Sequence, residues 1–394
     1  MTHYSFDTMY DRVATRSSKW TMTDAALGIP PSPDVLPMWV ADMDFKAPDF
    51  IKEAVHALSD AGDFGYFAHI DSMFEAVQWW MKTRHAWGID TDWITATASL
   101  GNAIAFSIQT WTEPGDAVAI FTPVYHEFAS KIARNGRTVT ELPLSVTEAG
   151  LLPDFDAFDA LMTGREKILL LSSPHNPGGH VWTRKELRQI VDFCARHDLL
   201  LVSDEVHHDL VLTGYSHTPT ALVAPEYASR LVTMTSASKT FSIAGTRLGC
   251  VTISDPVLRR EFRNTVHKSD LAPNLLGTVL TRACLSEKGA KWVDALTLYL
   301  SENARIFANG IADLPGLSHV QLEGTYLAWV DFSGTGMEAS EIWRRVTEEA
   351  KIAPSPGAPF GTGGELGLRF NLGTQAARVT EAVSRLKSAF SDLQ

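Results

Sequence analysis

The chain has 394 residues, of which 45% are hydrophobic and 20% charged, and its formal net charge is −12. This length can bury a large core, and the composition is typical of globular proteins rather than disordered ones. The acidic balance argues against a surface for nucleic acid or anionic membrane, since both reward clustered Lys and Arg, and it favours a small-molecule ligand.

Three features of the sequence predict a cytoplasmic protein. The opening residues, MTHYSFDTMYDR, lack the basic and then apolar order of a secretion signal. No stretch approaches the roughly 18 uninterrupted apolar residues of a membrane span. The three cysteines, Cys194, Cys250 and Cys284, are widely spaced and odd in number. That usage suits a reducing compartment and buried free thiols.

The first 47 residues are predicted to form an arm or irregular segment, because GIPPSPDVLP (28–37) and its surroundings are rich in turn formers. Helices are expected around 48–60 and 71–86. Beyond them, short apolar runs alternate mostly with stretches of helical apolar spacing. The runs are AVAIF (117–121), KILLL (167–171), LLLVS (199–203), LVTMT (231–235) and LGCVTI (248–253), and the helical stretches include 126–134, 154–162 and 184–197. Continuous apolar strands between helices indicate a mainly parallel sheet covered on both faces.

The last third of the chain has a different pattern. Residues 255–311 are strongly helical in character, and TYLAWVDF (325–332) and LGLRFNL (366–372) predict strands on either side of an amphipathic helix near 338–350. We therefore predict an arm over 1–47 that joins the small domain, a large three-layer α/β domain over 48–285, and a smaller α+β C-terminal domain over 286–394.

Unusual polar residues follow three consecutive predicted strands of the large domain. SSPHNPGG (172–179) follows KILLL, SDEVHHD (203–209) follows LLLV, and SASK (236–239) follows LVTMT. Open parallel sheets bind ligands at the carboxyl ends of their strands, so Asn176, Asp204 with His207, and Lys239 are expected to meet there. A lysine in a crowded, partly desolvated pocket has a lowered pKa, which makes its amine able to condense with an aldehyde.

This residue set predicts pyridoxal 5′-phosphate (PLP) as the cofactor. PLP needs a lysine for its aldehyde, a carboxylate at its pyridine nitrogen, donors at its phenolic oxygen and a cradle for its phosphate. Lys239 can supply the amine and Asp204 the carboxylate. Asn176 and His207 are candidates for the phenolic oxygen, and Tyr125, in TPVYHEF, is placed to stack on the ring.

The predicted phosphate cradle combines hydroxyl groups, a cation and a helix N-terminus. Ser236 and Ser238 lie near a strand-to-helix turn, and Arg247 stands eight residues after the lysine. The backbone amides of Leu100 and Gly101 are at the start of the helix in ASLGNAIAFSI, where amide groups favour an anion.

SPHNPGG, SDEVHHD and SASKTF resemble the motifs of fold-type I PLP enzymes of the class I/II (aspartate) aminotransferase superfamily. VLPMWVADMDF, FGY, TPVYHEF, DEVHHD, GTYLAWVDF and LRFNLG are similar to its MalY/PatB-type cystathionine β-lyase (C–S lyase) branch. The likeness runs from about residue 35 to the C-terminus. It implies an aspartate aminotransferase-like fold.

The resemblance also implies a role for each matching residue. Lys239 corresponds to the lysine that links to the cofactor, Asp204 to the pyridine partner, Asn176 to the phenolic-oxygen donor and Tyr125 to the stacking ring. His207 stands where typical aminotransferases carry a tyrosine, and a histidine there is characteristic of the lyase branch. Lys239, Asp204 and Tyr125 are thus the predicted catalytic residues.

Two further residues acquire roles only through the resemblance. Tyr66 is similar to the tyrosine that reaches the phosphate of the neighbouring subunit, which implies a homodimer with shared active sites. Arg369 is similar to the arginine that binds the substrate α-carboxylate through two parallel hydrogen bonds. Arg369, Asn176 and Tyr66 are therefore the predicted substrate-binding residues.

The implied reaction is β-elimination from L-cystathionine or a related S-substituted cysteine, which gives pyruvate, ammonia and a thiol. An aminotransferase acting on an L-amino acid is the alternative, and Arg247 favours it because aminotransferases carry an arginine at that place. A binding or regulatory module that keeps the fold is a third possibility, against which the intact Lys239, Asp204 and Asn176 argue.

The histidine pair in SDEVHHD raises the question of a metal site. Adjacent residues on one segment seldom all face one ion, so no metal is predicted. Alternation along an extended segment would place His207 and His208 on opposite sides, so that at most one of them meets the cofactor.

Overall fold

The computed structural model describes residues 4–68, 70–147 and 150–393. Its strands are β1 (Leu36–Met38), β2 (Ile94–Thr97), β3 (Ala117–Thr122), β4 (Thr138–Pro143), β5 (Ser145–Thr147), β6 (Gly150–Leu152), β7 (Glu166–Ser172), β8 (Leu200–Asp204), β9 (Leu231–Thr235), β10 (Gly249–Thr252), β11 (Ser318–His319), β12 (Leu327–Asp331), β13 (Ile352–Pro356) and β14 (Gly367–Asn371).

The helices of the described chain are α1 (Ser18–Thr21), α2 (Thr23–Leu27), α3 (Asp49–Ala61), α4 (Asp71–His85), α5 (Leu100–Trp111), α6 (Glu127–Arg134), α7 (Phe155–Leu161), α8 (Arg184–Arg196), α9 (Ala237–Thr240), α10 (Pro256–Lys268), α11 (Leu275–Cys284), α12 (Glu287–Ile311), α13 (Ala339–Arg344) and α14 (Ala376–Ala389). None of these described helices combines the length and the apolarity needed to cross a lipid bilayer.

The larger sheet is mainly parallel, as predicted. Within the described residues its strand order is β2-β10-β9-β8-β7-β3-β4. Strands β9, β8, β7, β3 and β4 run parallel to one another, whereas β10 is antiparallel to both β2 and β9. The carboxyl ends of β7, β8 and β9 are therefore adjacent, which places the three predicted polar motifs side by side.

Helices cover both faces of this sheet, because consecutive strand residues alternate between two separate cores. Ile168 and Leu170 of β7 belong to a core with α5, α6 and α10. Leu169 and Leu171 of the same strand belong to a second core with α7 and α8. This explains the continuous apolar runs, since a strand buried on two sides shows no polar alternation.

A smaller sheet joins the N-terminal segment to the C-terminal part of the chain. Its order in the described residues is β1-β13-β14-β12-β11, and β1 pairs in parallel with β13. The helix α12 begins just after Ser286, whose side chain accepts a hydrogen bond from the Gly289 amide. The pairing of β1 with β13 thus ties the N-terminal segment to the C-terminal part of the chain.

Some elements were not predicted from the sequence. The strand β13 contains Pro354 and Pro356. Proline cannot donate a backbone hydrogen bond to a neighbouring strand, so these residues argued against a strand here. The edge strand β4 is partly exposed and mixes polar with apolar residues. The predicted strand 325–332 begins only at Leu327, because Thr325 has a φ of 66°.

Candidate active site

Lys239 lies on α9, which follows β9 directly. Ser236 begins this short helix, and its hydroxyl accepts a hydrogen bond from the Ser238 amide and donates one to the Leu248 carbonyl. The Lys239 Nζ donates to the carbonyl of Ala41 at 3.0 Å. Burial, and secondly the charge of Arg369, lower the pKa of this amine, as the sequence motif predicts.

Asp204 ends β8 next to that lysine-bearing strand. Its carboxylate accepts a hydrogen bond from the Val206 amide at 3.1 Å. Burial raises the pKa of Asp204 to about 7, although the Val206 amide and the Lys239 charge oppose the shift. A carboxylate in this condition favours a cationic partner, because such a partner would remove the penalty of its burial.

Two cavities meet at these side chains. The first, which we call the Arg369 cavity, has a volume of about 260 Å³, and the second, the Arg247 cavity, of about 490 Å³. Tyr125, Asp204 and Lys239 line both. The two cavities therefore form one cleft at the carboxyl ends of the strands.

Arg369 extends from β14 into the first cavity and is almost fully buried. Its guanidinium donates to Asn176 Oδ1 at 2.9 Å, to the Trp39 carbonyl at 2.9 Å and to Ser355 Oγ at 3.1 Å. Burial lowers the pKa of Arg369 to about 10, so the group remains charged at neutral pH. A buried cation of planar shape suits a carboxylate.

Arg369→Lys is expected to raise KM by about 10–100-fold, because a lysine cannot make the paired hydrogen bonds of a guanidinium and leaves Asn176 without its donor. Initial rates over a range of substrate concentrations measure the effect. Arg305→Lys, at an exposed ion pair with Glu302, is the matched control. An unchanged KM would show that Arg369 does not bind the substrate.

Asn176 is aimed into the cleft by the tight turn that follows β7. The backbone N–H of Asn176 donates to Ser172 Oγ at 3.2 Å, and its backbone carbonyl accepts from the Tyr125 backbone N–H at 2.9 Å. Because the Asn176 side-chain oxygen accepts from Arg369, the Nδ2 group remains to donate to a ligand. Gly179 in this turn has a φ of 67°, and a Cβ there would lie 2.2 Å from Leu322 Cδ1.

A charged histidine fastens this turn to the segment before β12. His180 Nε2 lies 3.0 Å from Glu186 Oε2, and its Nδ1 lies 2.9 Å from Glu323 Oε2. Burial disfavours the charged ring, but the hydrogen bonds to Glu186 and Glu323 outweigh it and raise the pKa of His180 to about 9.

We expect this histidine to make stability depend on pH. Its folded pKa lies above the ordinary value of about 6.5, so its contribution is complete below pH 6.5 and is lost as pH rises through 9. The contribution is on the order of 2–3 kcal/mol. Urea unfolding of the wild type and His180→Gln between pH 6 and 10 measures it. The stability difference between them should shrink with rising pH, and a constant difference would contradict the assignment.

His207 and His208 point in different directions, although the segment is a turn rather than an extended strand. His207 lines the Arg369 cavity, and its ring lies 6.2 Å from that of Tyr326. His208 faces away: its Nδ1 donates to the Glu205 carbonyl at 2.6 Å, and its ring lies 4.7 Å from that of His85.

His85, His208 and Asp209 have possible metal-ligand atoms that lie within 4.8 Å of one another. The Asp209 carboxylate, however, accepts hydrogen bonds from Trp80 Nε1 and His85 Nε2 at 2.9 Å each and from Thr240 Oγ1 at 3.1 Å. These bonds account for the cluster as a hydrogen-bonded link between α4 and α9. We assign no metal to it.

The Arg247 cavity has the character of an anion site. Leu100, Gly101, Ser238 and Arg247 line it, as does Lys131. Leu100 and Gly101 begin α5, which is twelve residues long, so its unpaired amides and dipole favour an anion there. Gly249 allows this close approach, since a Cβ there would lie 3.0 Å from the Leu100 nitrogen.

Two predicted cofactor residues have different surroundings. Ser236 does not line the Arg247 cavity, and its hydroxyl is occupied by the Leu248 carbonyl and the Ser238 amide. Tyr66 lies on a surface loop, is fully exposed and lines neither cavity. Tyr66 can therefore take part in a site only through another chain.

The residues of the cleft fit PLP. Among the described residues, His207 Nδ1, Tyr326 Oη and Arg369 Nε are buried polar atoms without a hydrogen-bond partner. His207 and Arg369 line the cavity that also contains a lysine of lowered pKa and a carboxylate of raised pKa. A lysine, a ring-nitrogen partner, a phenolic-oxygen donor and an anion site are the groups that PLP requires. Lys239, Asp204, Asn176 and the Arg247 cavity are groups of these four kinds.

Several groups in the cleft escaped the sequence analysis. Ser355 and the carbonyls of Trp39 and Ala41 contact Arg369 or Lys239. Lys131 lines the Arg247 cavity and contacts Glu127 at 2.5 Å. Backbone carbonyls leave no pattern in a sequence, whereas Lys131 lies four residues after Glu127 on one helix face, a spacing that marks an ion pair.

Comparison with known proteins gives consistent findings. The profile of the family "Aminotransferase class I and II" matches residues 34–386. Cystathionine β-lyase PatB of Bacillus subtilis (strain 168) is 35% identical over 392 residues, which cover 98% of this chain and 100% of the relative. Protein MalY of Escherichia coli (strain K12) is 31% identical over 391 residues, 98% of each chain. The crystal structure of cystalysin from Treponema denticola, which contains PLP, is similar with a TM-score of 0.93 and 34% identity over 100% of both chains.

Proposed function

We propose, from the premise that this chain belongs to the class I and II aminotransferase family, that it is a PLP-dependent carbon–sulfur β-lyase. Its substrates are L-cystathionine or related S-substituted cysteines, and its products are pyruvate, ammonia and a thiol. The observation that carries the proposal is the single cleft lined by Lys239, Asp204 and Arg369. The names of the full-length relatives PatB and cystalysin support the type of reaction.

The side chains of the cleft divide the work of this reaction. Arg369 binds the substrate α-carboxylate, and Asn176, held by Arg369, donates to the ligand from its Nδ2. The partly buried amine of Lys239, with its lowered pKa, removes the proton from the substrate Cα. PLP, when bound, supplies a ring that accepts the electrons of that carbon. The Cβ–S bond then breaks, and the sulfur leaves as a thiolate that takes up a proton to become the thiol. The remaining three-carbon fragment takes up one water molecule and gives pyruvate and ammonia.

The remaining residues hold the cofactor. With PLP bound, Asp204 would pair with the ring nitrogen, Tyr125 would stack on the ring, and His207 would donate to the phenolic oxygen. The amides of Leu100 and Gly101, with Ser238 and Arg247, would bind the phosphate. Ser236 acts indirectly, since its hydroxyl shapes the start of α9.

The test is to incubate the purified enzyme with L-cystathionine and no keto acid, and to assay pyruvate, ammonia and homocysteine. Equal amounts of all three support the proposal. If neither cystathionine nor a panel of S-substituted cysteines releases pyruvate, the lyase proposal fails.

An aminotransferase is the second candidate, because Arg247 stands eight residues after Lys239, where aminotransferases carry an arginine, and it lines the anion cavity. Such an enzyme would return the proton to the cofactor and transfer the amino group of the substrate, through the cofactor, to a keto acid. Amino-group loss that depends strictly on added keto acid, with no release of thiol, would favour this candidate over the lyase.

We also propose a homodimer with shared active sites, in the cytoplasm. Exposed Phe64, Tyr66 and Phe67 on one loop support a subunit contact, because clustered surface aromatic residues mark interaction sites. The three buried, unpaired cysteines support a reducing compartment. The proposed domains are the arm 1–47, the large domain 48–285 and the small domain 286–394, for which the start of α12 gives support.

A further inference from the structure

Residues 39–44 form a segment, here called the bridging segment, whose backbone holds both cations of the Arg369 cavity. The Ala41 carbonyl accepts from Lys239 Nζ at 3.0 Å, and the Trp39 carbonyl accepts from Arg369 at 2.9 Å. Asn371 Nδ2 donates to the carbonyls of Val40 and Asp42 at 2.6 and 2.8 Å. The location of this backbone therefore sets where the two cations lie.

A buried ion pair lies behind the bridging segment. Lys19 Nζ contacts Asp44 Oδ2 at 2.7 Å and the Asp42 carbonyl at 3.1 Å. The side chains of Lys19 and Asp44 are at most 1% exposed. Asp44 Oδ1 also accepts from Trp20 Nε1 at 2.8 Å and from Arg12 at 3.0 Å. The C-terminal end of the segment is thus fixed to the helix α1.

The same residue also holds the other end of the segment. The Trp39 indole Nε1 donates to the backbone carbonyl of Lys19 at 2.9 Å. Lys19 therefore contacts residue 39 through its main chain and residues 42 and 44 through its ammonium group. No carbonyl of the segment can shift far without stretching one of these bonds.

Stability alone gives a poor account of this arrangement. Removing two charges from water is expensive, and the mutual attraction of a buried pair often no more than offsets that expense. Burial lowers the pKa of Lys19 even beside Asp44, so the cost of desolvation outweighs the attraction of the carboxylate at this ammonium group. What the pair does provide is a fixed point, because its geometry is specific.

We propose that Lys19 is a positioning residue, which fixes the bridging segment so that the carbonyls of Trp39 and Ala41 orient Arg369 and Lys239 for substrate binding. Lys19 touches neither substrate nor cofactor. The kinetic part of this inference rests on the proposed function, whereas the structural part does not.

The test variant is Lys19→Met, which keeps the length of the side chain and removes its charge. KM is expected to rise at least about tenfold and kcat to fall by a smaller factor, because a displaced Arg369 weakens substrate binding and a displaced Lys239 slows the proton transfer. Hydrogen–deuterium exchange of the amides of residues 39–44 should accelerate at least about tenfold, with β8 unchanged. Lys288→Met, which removes an exposed lysine paired with Glu53, should change neither quantity.

A second variant covers the case in which Lys19→Met does not fold. Asp44→Asn keeps the volume of the side chain and allows Lys19 to become neutral, and it should show the same pattern to a smaller degree. Exchange that accelerates equally in β8 and in the bridging segment, or a fall in kcat at constant KM, would overturn the proposal. If the wild type releases no pyruvate, the proposed function fails, and the exchange comparison still decides the role of Lys19.

Discussion

Lys239→Ala is expected to lower kcat by about 10³–10⁴-fold or more, the largest loss of any single change in this chain. The lysine is the partly buried amine that lines both cavities, and desolvation keeps its pKa below the ordinary value. The variant loses both the group that links to the cofactor aldehyde and the base for the Cα proton. Pyruvate release at saturating substrate measures the fall in turnover.

Lys288→Ala is the matched control, since it removes an exposed lysine of α12 and should leave kcat unchanged. Borohydride treatment followed by peptide mass analysis gives a second readout that does not depend on turnover. The reduced wild type should carry the cofactor mass on the peptide that contains Lys239, and the variant should carry none. A mass adduct on another lysine would refute the assignment.

The sequence predicted the large sheet well, because a strand buried on two faces leaves an uninterrupted apolar run. The strands β3, β7, β8 and β9 fall within a residue or two of the predicted runs at 117, 167, 199 and 231. The mainly parallel, helix-covered sheet and the aspartate aminotransferase-like fold are confirmed. The direction of β10 could not be predicted, since an apolar run looks the same in a parallel or an antiparallel pair.

The strands that escaped prediction depend on tertiary contacts. Strand β1 has three residues, and it is a strand only because Leu36 to Met38 pair with Ile352 to Pro354 more than 300 residues away. Neither segment has a local sequence pattern from which its pairing with the other could be predicted. The arm was expected to be irregular because of its prolines, and they are tolerated at this edge.

The polar motifs that end parallel strands were predictable because sheet topology gathers them. Asn176, Asp204 and Lys239 meet as expected, since β7, β8 and β9 are neighbours. Arg369 reached the same cavity from β14, and only the family resemblance pointed to it. The carbonyls of the bridging segment could not be found from the sequence, because any residue type offers a carbonyl.

The charges of the cleft show a conflict between stability and function. Lys239 is a partly buried cation and Arg369 a buried one, and the pKa values of both are lowered, whereas Asp204 is a buried acid whose pKa is raised to about 7. Each group would be easier to bury in its neutral form. The pKa shifts of the acid and of the two cations have opposite directions but the same largest cause, which is that each group is desolvated in the cleft. Such shifts are typical of sites that bind charged ligands.

Asp204→Asn should therefore change activity and stability in opposite directions. The amide can still accept from the Val206 nitrogen, but it carries no negative charge for the cofactor ring nitrogen, so kcat is expected to fall about 10²–10³-fold. In the cofactor-free protein the same change should raise the unfolding free energy at pH 8 by about 1–3 kcal/mol. The sign follows from linkage. The pKa of Asp204 is about 7 in the folded protein and 3.8 in the unfolded chain, so ionisation of this group destabilises the fold, and the penalty is complete above pH 7.

The pH dependence separates this explanation from ordinary damage to the site. Because Asp204 becomes neutral in the fold as pH falls below 7, the stabilising effect of the asparagine should shrink progressively between pH 7 and pH 4. Asp159→Asn, at an exposed carboxylate paired with Arg196, is the control and should leave kcat unchanged. Urea unfolding of both variants across this range gives the comparison. An Asp204→Asn protein that is less stable than the wild type at pH 8 would mean that the carboxylate is held by contacts that favour its charge. The assignment of Asp204 as the carboxylate that pairs with the protonated ring nitrogen of the cofactor would then be wrong.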